Sequence, residues 1–173
     1  MSEPLAYFIT FTTYGTWLPG RAPGSVDRRN NEFGEPVRPA DSKREEQSRA
    51  LMSQPEYRLD APRRRIVLQT IVDHATFRRW KLWAVHVRSN HLHIVVGADR
   101  HPDRVMSEFK AWACRRLREQ LGEPGDRHRW TKHGSTKWLW TTGELRDKID
   151  YTLNRQGDRM EHYDGSAALQ GGD

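Results

Sequence analysis

The segment from residue 80 to residue 96 constrains the fold of this chain more than any other. Two runs rich in β-branched and aromatic residues, 80–87 and 91–96, are separated only by the polar residues Arg88, Ser89 and Asn90. Such a short polar turn is of hairpin length, so the two runs predict paired antiparallel strands. The rest of the chain is therefore expected to build on an antiparallel sheet.

The segments around this hairpin alternate between strand and helix patterns. Runs of β-branched and aromatic residues predict strands, and apolar residues recurring at helical spacing predict helices. The predicted elements outside the hairpin are a strand over 6–13, helices over 43–52, 61–79 and 102–121, a strand over 137–141 and a helix over 144–155. This order contains the ferredoxin-like βαββαβ unit with an added C-terminal helix, so the predicted class is α+β with an antiparallel sheet.

The length of 173 residues favours one domain, which we expect to span residues 1–160. Residues 21–41 are rich in Pro, Gly and charged side chains without periodicity, which predicts a loop insertion at about residues 20–60. Few apolar anchors follow His162, so residues 161–173 are expected to form a flexible tail.

The charge balance favours a polyanionic partner. Lys and Arg total 29 against 23 Asp and Glu, which gives a net charge of +6, although ribosome-bound and membrane-surface proteins share this bias. The seven Trp residues suit stacking on unpaired bases as well as core packing. The single Cys114 excludes a disulfide within the chain, and neither a spanning apolar stretch nor a signal-peptide pattern is present, so we expect a soluble, cytoplasmic protein.

A His-x-His triplet opens the second hairpin strand. Residues i and i+2 of a strand point to the same face, so His91 and His93 can reach one divalent ion while Leu92 enters the core. The alternative is two polar positions on a solvated strand face. His86 on the preceding strand is a candidate for supporting the pair, and we leave it outside the ligand set.

The last predicted helix carries Tyr151, with two amides and a guanidinium within a few residues. A phenol, with a pKa of about 10, becomes a good nucleophile only beside a cation or a base that favours the phenolate. The alternative is that Tyr151 is a packing residue of an amphipathic helix.

The combination of these features resembles the HUH single-tyrosine transposases, which include the transposases of the smallest bacterial insertion sequences and the REP-associated tyrosine transposases. Three stretches carry the resemblance, which covers residues from about 5 to 157. They are YFITFTTYGTWLPG at residues 7–20, SNHLH at residues 89–93 and WTKHGS at residues 130–135.

The resemblance implies that His91 and His93 bind a divalent ion, Mg²⁺ or Mn²⁺, and that Tyr151 is the nucleophile. It also implies a third, amide ligand on the tyrosine helix, and there this sequence departs from the family pattern, because Arg155 stands four residues after the tyrosine. We prefer Gln156, since the end of the helix can loosen and turn it inward, and Asn154 stays open.

The activity that the resemblance implies is cleavage and rejoining of single-stranded DNA through a 5′-phosphotyrosine intermediate. The implied DNA carries a hairpin, and the family commonly works as a homodimer. Basic side chains on the predicted helix 102–121 could hold the DNA backbone, or form an ordinary solvated face. They are Lys110, Arg115, Arg116 and Arg118.

Two other functions compete with this one. The first is a non-catalytic module that binds DNA or RNA hairpins on a ferredoxin-like sheet with basic helices. The second is a zinc hydrolase that uses the same histidine pair. This function is disfavoured because no acidic residue that could serve as general base is evident nearby.

Overall fold

The fold is built on one antiparallel sheet with helices on both faces. The computed structural model of the chain describes residues 2–18 and 39–169. Within these ranges the elements, in chain order, are β1 Ala6–Thr12, α1 Ser42–Ala50, α2 Ala61–Arg78, β2 Lys81–Val87, β3 His91–Gly97, α3 Pro102–Leu121, β4 Ser135–Leu139, α4 Thr142–Asn154, β5 Glu161–Asp164 and a 3-10 turn Ser166–Leu169. No helix in the described part of the chain is long and apolar enough to cross a membrane.

The strand order of the sheet is β4-β1-β3-β2-β5, and all four pairings are antiparallel. The first four strands have the order of the ferredoxin-like unit, so the predicted α+β class is confirmed. Strand β3, at the centre of the sheet, is covered on both faces, which explains why residues 92–96 form a continuous buried run.

Side chains of successive strand residues enter two separate cores. Helices α2 and α3 cover one face, where Leu92 and its alternate neighbours on β3 pack against Phe109 of α3. Helix α4 covers the other face, where Val95 packs with Leu145 and Ile149. His91 and His93 share the face of Val95, so the sequence period of two places both imidazoles on the side of α4.

Helix α4 begins two residues earlier than predicted because of its N-terminal cap. Thr141 accepts from the backbone N–H of Glu144, and the Glu144 carboxylate accepts from the backbone N–H of both Trp140 and Thr141. Because the N–H groups of Trp140 and Thr141 bind the Glu144 carboxylate, they are not available for pairing with another strand. Strand β4 therefore ends at Leu139 rather than at the predicted residue 141.

The tail expected to be flexible from residue 161 differs in the structure. Residues Glu161–Asp164 form strand β5, which pairs with the outer edge of β2, and an ion pair joins Glu161 to Arg64 of α2. Tyr163 packs against the core beneath α2. Long-range pairing to an open sheet edge supplies anchors that the local sequence does not reveal. Residues 170–173 lie outside the described part.

The predicted insertion is described only from residue 39 onward, and most of the expected loop lies outside the described residues. Its last part returns to the fold, with Tyr57 and Leu59 buried in the core. The Tyr57 hydroxyl is 2.9 Å from both carboxylate oxygens of Glu123, which also accept from Arg63 at 2.8 Å and Arg129 at 2.9 Å. We refer to these four residues, Tyr57, Arg63, Glu123 and Arg129, as the carboxylate cluster.

Candidate active site

The two histidines of β3 lie side by side on the face that α4 covers. Their ring centres are 5.0 Å apart, His93 is buried and His91 is half-buried. On the neighbouring strand, Thr10 stands opposite His93 and Thr12 opposite His91. The pair is therefore held by a central strand of the sheet, which is a rigid support for a site.

Each imidazole has one nitrogen committed to a neighbouring side chain. His91 Nδ1 lies 2.7 Å from the Asn90 carboxamide oxygen, which can only accept, so this nitrogen carries the proton. His93 Nδ1 lies 2.7 Å from the Thr10 hydroxyl. The Nε2 atom of His91 is thereby left with its lone pair, as metal-binding histidines require.

Tyr151 comes from α4 and lies against His93 of this pair. Its ring centre is 5.5 Å from that of His93. Phe8 of β1 contacts both rings, stacking on His93 at 5.4 Å and meeting Tyr151 edge-on at 5.8 Å. The structure thus brings together the two histidines and the tyrosine that the sequence singled out, from elements about 60 residues apart in the chain.

Gln156 joins the same group, and Asn154 does not. The Gln156 side chain interacts with both imidazoles, raising the pKa of His91 and of His93, and its Nε2 donates to the backbone oxygen of Tyr151 at 3.1 Å. Asn154 instead donates to Asp150 at 2.9 Å and accepts from Arg159 at 2.8 Å. The helix ends at Asn154, so Gln156 leaves the helical path and turns back to the sheet.

Burial keeps both imidazoles neutral. It lowers the pKa of His91 to about 4 and the pKa of His93 to about 3, and the interaction with Gln156 only partly offsets this effect. A neutral imidazole is the form that binds a metal ion. We refer to His91, His93 and Gln156, with the supporting Thr10 and Asn90, as the histidine cluster.

The donor set of this cluster fits a cation that takes mixed ligands. Within residues 2–18 and 39–169, no three His, Cys, Asp or Glu side chains are grouped to hold a metal ion. At this cluster the Gln156 amide oxygen could join His91 and His93, and substrate or water oxygens would complete the shell. Such a set suits Mg²⁺ or Mn²⁺, which bind oxygen ligands and keep several exchangeable positions.

Other candidates from the sequence occupy supporting or distant positions. His86 Nδ1 donates to the Thr152 backbone oxygen at 3.0 Å and its Nε2 accepts from the Met160 N–H at 3.0 Å, so both of its nitrogens are used in packing α4 and β5. Arg115, Arg116 and Arg118 lie on α3, across the sheet from Tyr151.

Three residues of this site were not singled out from the sequence for their side chains. Thr10 and Asn90 fix the histidine rings, and Lys148 of α4 packs against Phe8 and Tyr151. The position of Thr10 follows from strand register, which pairs it with His93 once β1 and β3 are known to be neighbours. Lys148 precedes Tyr151 by three residues, which is one helical turn.

Comparisons with known proteins gave one similarity to report. No protein-family model matches the chain, and no curated protein matches it. Among solved structures, the chain is similar to one described as a REP-associated tyrosine transposase bound to a REP hairpin. The similarity has a TM-score of 0.48 and 12% sequence identity, and it covers 89% of this chain and 67% of the other.

Proposed function

We propose that this chain is a metal-dependent DNA strand-transfer enzyme of the HUH single-tyrosine type, which cleaves and rejoins single-stranded DNA. The observation that carries the proposal is the meeting of Tyr151 with His91, His93 and Gln156, since the ring centres of Tyr151 and His93 are 5.5 Å apart. If Tyr151 only packed in the core, the protein would not need two neutral imidazoles held in fixed orientation beside it.

The reaction exchanges one phosphodiester for another. The Tyr151 oxygen forms a bond to the phosphorus of the scissile phosphate, and the bond from phosphorus to the 3′ oxygen breaks. The phenol proton is lost and the released 3′ oxygen gains one, which leaves a 5′-phosphotyrosine and a free 3′-hydroxyl. Because the covalent intermediate conserves the bond energy, a second 3′-hydroxyl can reverse the attack and join new ends without ATP.

His91, His93 and Gln156 would hold the divalent ion in this proposal. When bound, Mg²⁺ or Mn²⁺ would polarise the scissile phosphate and neutralise part of its charge. Thr10 and Asn90 keep the two rings in fixed orientation, and Gln156 links the histidines to the backbone of the nucleophile. The chain itself therefore couples the orientation of the proposed ligands to that of Tyr151.

The proposed substrate is unpaired DNA next to a hairpin, and the protein is proposed to act as a homodimer. The net charge of +6 supports binding of a polyanion. A fully paired duplex would be a poor substrate, because its phosphates are held in a regular backbone that cannot adapt to a site under a helix.

Covalent trapping tests the proposal. Single-stranded DNA from the flanks of the gene, labelled at its 3′ end, is incubated with the protein and Mn²⁺ and run on a denaturing gel. We expect a labelled protein band that disappears with a chelator, and mass spectrometry should place the adduct on Tyr151. Retained DNA binding without any adduct would favour the non-catalytic binding module, and cleavage without an adduct would indicate a hydrolase.

A further inference from the structure

The ammonium of Lys148 lies among the aromatic rings of the candidate site. Its Nζ is 5.1 Å from the centre of the Tyr151 ring and 5.4 Å from the centre of the Phe8 ring. Only 15% of the side chain is exposed, although lysine usually keeps its charged end in water. Contacts with the aromatic rings, rather than solvation, therefore determine the position of the Lys148 ammonium.

Phe8 fixes the geometry between this charge and the other groups of the site. Its ring is nearly parallel to that of His93 (15°) and nearly perpendicular to that of Tyr151 (86°). Lys148 contacts the same Phe8 ring. One aromatic side chain from strand β1 therefore contacts the cation, the proposed nucleophile and a proposed metal ligand.

A second cation near the tyrosine differs from Lys148 in its partners. Arg155 is 5.4 Å from the Tyr151 ring centre, but its guanidinium binds Asp147 at 2.6 Å and Asp150 at 3.1 Å, and 47% of it is exposed. Lys148 is 3.4 Å from Asp147, the carboxylate that Arg155 holds more closely. Arg155 is thus held on the solvent side by two carboxylates, whereas Lys148 packs against the two rings and also lies near Asp147.

We propose that Lys148 is a catalytic residue whose ammonium binds a non-bridging oxygen of the scissile phosphate, an inference that rests on the proposed function. As the Tyr151 oxygen bonds to phosphorus and the 3′ oxygen leaves, a fixed cation beside the phosphate stabilises the charge that the reaction redistributes. In this step Lys148 supplies charge, and the phenol proton is not transferred to it.

Two substitutions separate this role from packing. Lys148→Met keeps an unbranched side chain against the rings and removes the charge, while Lys148→Arg keeps a charge. The probe is the 3′-labelled single-stranded DNA from the flanks of the gene, with Mn²⁺, under single-turnover conditions. We expect Lys148→Met to slow adduct formation by about 100- to 1,000-fold and to weaken DNA binding less than about tenfold. Lys148→Arg should form the adduct at least about tenfold faster than Lys148→Met.

Lys81 provides a matched control. Its Nζ also lies over an aromatic ring, 4.8 Å from the centre of Trp83, but at the end of β2 remote from His86 and the histidine cluster. Lys81→Met should cleave at the wild-type rate.

The outcomes distinguish the two proposals. If wild type forms the adduct and Lys148→Met does so within about threefold of the same rate, the role of Lys148 is excluded while the proposed function stands. The role of Lys148 is also excluded if Lys148→Met changes only the DNA dissociation constant, or if Lys148→Arg loses as much of the rate as Lys148→Met. If wild type forms no adduct, the proposed function itself fails.

Discussion

Two buried polar clusters in this protein are organised in opposite ways. In the carboxylate cluster, Glu123 is 8% exposed and each of its oxygens accepts from charged or hydroxyl donors. In the histidine cluster, burial suppresses charge instead, since it lowers the pKa of both His91 and His93 well below neutrality. In the first cluster two guanidiniums surround a single carboxylate, and one of them, Arg63, also pairs with Asp60, whereas the second cluster keeps neutral nitrogen lone pairs beside an amide.

The contrast separates a polar cluster that is complete within the protein from one that can accept an external ligand. The carboxylate cluster joins the end of the insertion, at Tyr57, to the loop after α3, and its carboxylate oxygens are saturated by partners within the protein. The histidine cluster has its Nδ1 atoms fixed and its other ring nitrogens near one shared amide, an arrangement that an external ion could complete. Substitutions in the two clusters should therefore separate stability from activity.

The largest effect is expected from Tyr151→Phe, which removes only the nucleophilic oxygen. Adduct formation should fall by about a thousandfold or more, while DNA affinity and thermal stability change little, because the ring that packs on Phe8 and His93 is kept. The measurement is covalent trapping under single-turnover conditions. Tyr163→Phe serves as the control and should behave like wild type. An adduct of normal yield in Tyr151→Phe would show that another group is the nucleophile.

His91→Ala and His93→Ala should come next. Each removes one of two imidazole ligands, so Mn²⁺ affinity should fall by more than about a hundredfold and cleavage should be lost at micromolar metal. Isothermal titration calorimetry with Mn²⁺ measures the binding directly, and circular dichroism checks the fold. His128→Ala, outside the cluster, is the control. Metal binding equal to wild type in either variant would refute the ligand assignment.

Glu123→Gln should act on stability and spare the chemistry. It leaves the nearly buried Arg129 guanidinium without its carboxylate, and breaking a buried pair costs about 3 kcal/mol or more of unfolding free energy. Urea unfolding measures this loss, and the single-turnover cleavage rate of the folded variant should match wild type. A variant that is stable but does not cleave would contradict the separation of the two clusters.

The same substitution has a defined pH dependence. Burial alone would raise the pKa of Glu123, but hydrogen bonds from Arg129, Tyr57 and Arg63 lower it below its ordinary 4.5. A carboxyl group with a depressed pKa stabilises the fold above its unfolded-state pKa and loses that contribution as pH falls through its folded-state pKa. The stability difference between wild type and Glu123→Gln should therefore shrink below pH 4.5, the ordinary value of that group.

The smallest effect is expected from Thr10→Val, which removes the hydroxyl 2.7 Å from His93 Nδ1 and keeps a β-branched residue on the strand. Loss of a group that orients a metal ligand lowers metal affinity by about tenfold. Calorimetry with Mn²⁺ measures it, with Thr136→Val on the adjacent strand β4 as the control. Unchanged affinity would mean that Phe8 and Gln156 suffice to orient the ring.

Local patterns predicted most of the elements because each one carries its own signal, such as a β-branched run, a polar turn or apolar residues at helical spacing. The hairpin, α2 and α3 are found within a residue or two of their predicted bounds, since their apolar period matches the face each one buries. Strand β5 could not be predicted in this way. Its four residues gain their place from the open edge of β2, which is a contact between distant parts of the chain.

The candidate site also has a part that local sequence patterns predict and a part that depends on contacts between distant segments. The side of β3 on which His91 and His93 lie follows from the period of two, and Tyr151 was identified through a family resemblance. Their contact needs the packing of α4 on the sheet, which no local pattern encodes. Metal binding by His91, His93 and Gln156 and attack by Tyr151 stay predictions until they are measured.

The tethering of helix α4 has a genetic consequence. Its N-terminus is fixed by the capping box of Thr141 and Glu144, and β5 follows its C-terminus and pairs with β2 of the same chain. Within this single chain, Tyr151 meets the histidines of the same polypeptide. For the proposed enzyme this arrangement predicts that a copy that lacks the tyrosine and a copy that lacks a histidine fail to complement each other in one cell, and complementation would show that α4 is exchanged between subunits.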